Sequence, residues 1–145
     1  MPDSEDILSA LSRETESYLE TVEELERKRK PGEGIFGMRG GPADNPCHER
    51  YSETVRQLLD DFAGQNPSSE SVRRVLEELY TAPILHRKPL CAYWMLIAVQ
   101  RHSLGLIDRL STQDAKALFD RYSKDTPRHE RLPVQNEILK KLIQR

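Results

Sequence analysis

The sequence has little cysteine, few aromatic residues and no long hydrophobic run. Its 145 residues include only Cys47 and Cys91, which do not form a CxxC pair, so a disulfide framework or a cysteine-based zinc site is not expected. The longest apolar run, 90–99, is too short to span a bilayer. The first residues also lack the basic and apolar regions of a signal peptide. We therefore expect a cytoplasmic protein with no membrane partner.

The charge is small overall but unevenly distributed along the chain. The net charge is −2, which gives no general attraction to nucleic acid. Residues 1–66 contain 15 Asp and Glu against 8 Lys and Arg (−7), and residues 67–145 contain 9 against 14 (+5). The simplest interpretation is that the two halves attract each other in a folded or dimeric unit. A basic face for an acidic partner is the alternative, and nucleic-acid binding through the basic half would be strongly salt-dependent.

Hydrophobic periodicity predicts a first helix over roughly 4–30. Apolar or tyrosine side chains recur there at intervals of three and four, interrupted only by Thr15, as in a heptad seam: Leu8, Leu11, Thr15, Tyr18, Val22, Leu25. Pro31-Gly32 ends the helix. We expect the seam to pack on the rest of the chain, although packing on a second copy is also compatible with it.

Five more helical segments follow, with starts near residues 46, 69, 89, 112 and 133. Four of them carry one apolar stripe each: Tyr51, Val55, Leu58, Leu59 and Phe62; Val72, Val75, Leu76 and Leu79; Ala115, Leu118, Phe119 and Tyr122; Val134, Ile138, Leu139 and Leu142. The segment after Pro89 is apolar on all sides, which is typical of a central helix. We therefore expect Trp94 near the middle of the core.

These segments predict an all-α fold, a compact bundle of five to six helices. The regular spacing of the starts also fits a short solenoid of helical hairpins, but no residue-level repeat supports it. The predicted organisation is a single domain with three parts. They are an N-terminal amphipathic helix (1–30), an ordered Gly/Pro-rich loop (31–45) and a helical bundle (46–145).

The glycine-rich segment 34–50 is the one candidate site. Gly34, Gly37, Gly40 and Gly41 are four of only seven glycines, and they precede a predicted helix start, where backbone N–H groups favour anions. The expected ligand-binding residues are Gly37, Arg39, Gly40, Gly41, Cys47, His48 and Arg50. A loop that merely turns the chain is the simpler interpretation, because no GK[ST] or GxGxxG motif is present.

Cys47 and His48 suggest a catalytic thiol and base, but their spacing does not favour one. Side chains of neighbouring helical residues point about 100° apart, so the two would not easily form a dyad or chelate one ion. The remaining histidines, His86, His102 and His129, show no zinc-binding spacing. We expect no metal, cofactor or catalytic residue, with His48 serving to cap the helix.

The sequence thus predicts a noncatalytic protein-interaction or regulatory module. Its partner is another protein or a second copy of the chain. The alternative is a small ligand-binding protein or enzyme that uses the glycine-rich loop and the start of the second helix. The identity of any small-molecule ligand is not determined by the sequence.

Overall fold

A computed structural model describes residues 4–28, 45–81, 90–125 and 132–144. Its helices are α1 (Ser4–Arg27), α2 (Cys47–Gly64), α3 (Ser69–Thr81), α4 (Leu90–Ala98), α5 (Leu104–Ile107), α6 (Thr112–Asp125) and α7 (Pro133–Ile143). A 3₁₀ segment, Val99–Ser103, joins α4 to α5. This part of the chain contains no strand, so the all-α prediction is confirmed. The loop predicted at 31–45 lies outside the described residues except for Asn45.

Short polar side chains start the helices where the sequence predicts them. The Asn45 side-chain oxygen accepts a hydrogen bond of 3.0 Å from the Cys47 backbone N–H at the start of α2. Ser68 accepts one of 3.2 Å from Ser71 at the start of α3, and Ser111 accepts one of 3.1 Å from Asp114 at the start of α6. Each bond satisfies a backbone donor that the helix itself leaves free.

The α6 start does not form the reciprocal capping box that its Ser-x-x-Asp sequence, Ser111 to Asp114, would allow. The Ser111 backbone N–H donates to the Ser69 hydroxyl of α3, at 2.7 Å, rather than to the carboxylate of Asp114. Asp114 instead accepts a hydrogen bond from Ser69 and lies 2.9 Å from Arg73 Nε. The hydroxyl of Ser69 therefore ties the starts of α3 and α6 together.

The predicted apolar stripes form one core. On α1 the side chains of Leu11, Tyr18 and Val22 are buried, and the helix packs on α2 and α3. The predicted stripes of α2, α3, α6 and α7 are buried as well, with Leu58 and Phe119 partly so. The seam of α1 is thus used within the chain.

The 3₁₀ segment occupies the centre of the bundle. It packs on α2, α3 and α7 as well as on its own neighbours α4 and α5, so one element contacts helices from both halves of the chain. A solenoid would limit contacts to successive pairs. The arrangement is therefore a compact bundle.

A polar network lies inside this core. The Tyr122 hydroxyl donates to the side-chain oxygen of Gln100 at 2.8 Å, and the Gln100 amide lies 3.5 Å from the Leu79 carbonyl oxygen. Tyr80 and Ser103 share a second hydroxyl–hydroxyl contact, and Ser103 donates to the Gln100 backbone carbonyl at 2.6 Å. These bonds hold α3, the 3₁₀ segment and α6 in register, since buried polar groups are costly unless paired.

The prediction that Trp94 lies in the core is wrong. Trp94 is 55% exposed, whereas Ala92, Leu96 and Ile97 of the same helix are buried. Neighbouring helices cover only part of α4. The side of α4 that they leave uncovered is therefore exposed, even though all its side chains are apolar. Trp94 projects from the uncovered side of α4.

Replacing Leu11 by alanine tests the packing of α1. Leu11 is 3% exposed, so the variant should lose about 2–4 kcal/mol of unfolding free energy through lost contacts and a residual cavity. Urea denaturation measures this, with exposed Ser12→Ala on the same helix as the control. Equal midpoints for the Leu11 and Ser12 variants would show that α1 does not contribute to the core.

Candidate functional site

The predicted ligand-binding residues fall into two groups in the structure. Gly37, Arg39, Gly40 and Gly41 lie outside the described residues. The other three open α2. Cys47 and His48 are buried there, and Arg50 is exposed. The two buried side chains pack with the core while Arg50 faces solvent, and their joint role with the loop stays a prediction.

His48 connects α2 to α1. Its Nδ1 atom lies 2.6 Å from the Tyr18 hydroxyl oxygen, and the two rings meet edge to face with centroids 5.6 Å apart. Asn45, rather than His48, provides the side-chain cap of α2. The imidazole is therefore an interhelical hydrogen-bonding group.

A second aromatic contact lies beside the first. The rings of Tyr18 and Tyr51 stack with centroids 4.2 Å apart and planes 4° apart, and the Tyr51 hydroxyl lies 2.9 Å from Thr15 Oγ1. Burial raises the pKa of Tyr51 to about 12, because a buried phenolate is poorly solvated. These hydroxyls hold α1 in register on α2.

The environment of Cys47 does not favour a nucleophile. Burial raises the pKa of its thiol, and this effect exceeds the opposing influence of the Arg50 cation. The helix start alone would lower the pKa of this thiol, but burial outweighs it. In the folded protein Cys47 is a protonated thiol at neutral pH.

Ser52 and His102 form a half-buried pair between α2 and the 3₁₀ segment. Ser52 Oγ lies 2.9 Å from His102 Nε2. Burial, followed by the cation of Arg56, lowers the pKa of His102, which keeps the imidazole neutral at pH 7. Within the described part of the chain, no carboxylate is hydrogen-bonded to the second ring nitrogen, so the pair does not have the geometry of a serine–histidine–acid triad.

The exposed side of α4 carries Trp94, one of the two large apolar side chains that are exposed among the described residues. Trp94, half-buried Ala98 and exposed Arg101 follow one another at helical spacing on this side, and we call them the Trp94 face. Arg101 Nη1 lies 4.0 Å from a carboxylate oxygen of Glu137 on α7. A large aromatic side chain is thus bordered by charged groups.

A groove of about 230 Å³ lies between the start of α1 and the end of α2. Its apolar lining and its two bordering carboxylates come from both helices, and we call it the α1–α2 groove: Ile7, Ala10, Leu58, Phe62, Asp6, Asp61. Neither carboxylate forms an ion pair with any described residue. The groove therefore lies over side chains that are largely buried, and its two carboxylates have no ion-pair partner among the described residues.

Metal binding and membrane insertion receive no support from the described residues. Among them, no three His, Cys, Asp or Glu side chains are grouped so as to hold a metal ion. None of the described helices combines the length and the hydrophobicity needed to cross a bilayer. Comparison with family models, with curated proteins and with solved structures found no match.

The sequence reasoning missed both the Trp94 face and the α1–α2 groove. The sequence has no Asp or Glu between Glu78 and Asp108, where Trp94 lies, but a buried helix lacks acidic residues as well, so this interval does not show which side of α4 is exposed. The groove has no sequence signal either, because it depends on how far the start of α1 overlaps the end of α2. That overlap is set by contacts between residues distant in sequence.

Tyr51 should make the protein less stable in alkaline solution. Its folded-state pKa is above the ordinary value of 10, so the folded state retains a proton that the unfolded state loses, and stability falls as pH rises from 10 to about 12. Tyr51→Phe should reduce this loss by about 2–3 kcal/mol. Urea denaturation across this pH range measures it. Parallel declines in the two proteins would contradict the assignment.

The thiol of Cys47 should be unreactive in the folded protein. In a Cys91→Ser background, we expect alkylation of native Cys47 at neutral pH to be about tenfold slower than in urea, because the group is buried and protonated. Mass spectrometry follows the reaction. Alkylation as fast in the native as in the unfolded protein would instead support an activated, accessible thiol.

Proposed function

We propose that this chain is a noncatalytic protein-interaction module and that the Trp94 face is its binding surface. The observation that carries the proposal is the exposure of Trp94. Its side chain is 55% exposed to solvent, although it lies on a helix made of apolar residues. The location we propose for this interaction is the cytoplasm, as expected from the sequence.

An exposed indole gains free energy when a partner removes it from water. Transfer of apolar surface out of water is worth about 25 cal/mol per Å², and tryptophan has one of the largest apolar surfaces of any side chain. Tryptophan is also enriched among the few residues that dominate binding energy at protein interfaces. Trp94 therefore has the chemistry of a binding anchor.

The surroundings of Trp94 fit the usual layout of an interface. Arg101 and Glu137 are both largely exposed and lie next to each other, which provides a polar rim. Weakly paired rim charges of this kind affect partner choice and association rate more than affinity. An apolar centre with a charged rim favours a protein surface as the partner.

The other chemically distinctive groups have structural partners. Tyr18 and His48 bind each other, Ser52 pairs with His102, and Cys47 is buried. No observation among the described residues favours a small-molecule site at the start of α2. This supports an interaction role over the enzymatic alternative.

Trp94→Ala should weaken partner binding while leaving the fold intact. A hot-spot tryptophan contributes about 2 kcal/mol or more, so binding should weaken about 30-fold. The test compares capture from an extract of the native cells by the wild type, Trp94→Ala and Ile143→Ala. Affinity for each captured protein is then measured by titration.

Ile143 is the matched control, because it is the other large exposed apolar side chain described, at 68%. A partner retained by Ile143→Ala and lost by Trp94→Ala, with equal melting temperatures, is the expected result. Identical captured sets for the two variants would contradict the proposal.

A further inference from the structure

We draw no further inference here: the strongest candidate, the α1–α2 groove between the start of α1 and the end of α2, lies over side chains that the core already largely buries, and nothing in the structure shows what covers it.

Discussion

The surface chemistry of this protein depends on one packing constraint: α4 has more apolar surface than the other helices can cover. The described helices around it have one apolar stripe each, and those stripes are already used. The α1 stripe packs on α2 and α3, α3 packs on α6, and α6 packs on α7. This arrangement leaves Trp94 55% exposed. A side chain that periodicity predicts for the core is consequently left at the surface.

The buried polar network explains why α4 cannot rotate about its axis to bury Trp94. Gln100 is the second residue of the 3₁₀ segment that follows α4. Its side chain is hydrogen-bonded to Tyr122 and to the Leu79 carbonyl oxygen. Ser103 is bound to Tyr80 and to the backbone of the 3₁₀ segment itself. Rotation of α4 would break these bonds and leave buried polar groups unpaired, at a cost of about 1–3 kcal/mol each. The same network thereby fixes the core and orients the Trp94 face outward.

Much of the fold could be predicted from the sequence, because helix identity is encoded locally. The Leu11–Tyr18–Val22 seam and the stripes of α2, α3, α6 and α7 follow from spacing alone, and the structure buries them. Capping was predictable in part: Ser111 caps α6, but its backbone partner is Ser69, a residue of another helix. Contacts between helices depend on the tertiary arrangement, and the spacing of apolar residues in the sequence does not specify that arrangement.

The candidate site was harder to predict for the same reason. An all-round apolar helix predicts burial, and only the number and placement of its neighbours decide which side stays exposed. The pairing of His48 with Tyr18 likewise depends on the register of α1 against α2. The interaction role stays a prediction of the sequence, which placed its candidate residues at the start of α2, whereas the proposed surface lies on α4.

The most direct test of this account is the fluorescence of Trp94, because it is the only tryptophan in the chain. We predict that the dilute protein shows the emission of a water-exposed indole and is readily quenched by acrylamide. A blue-shifted emission that resists acrylamide would show that Trp94 is buried. That result would contradict the binding surface on which the account depends.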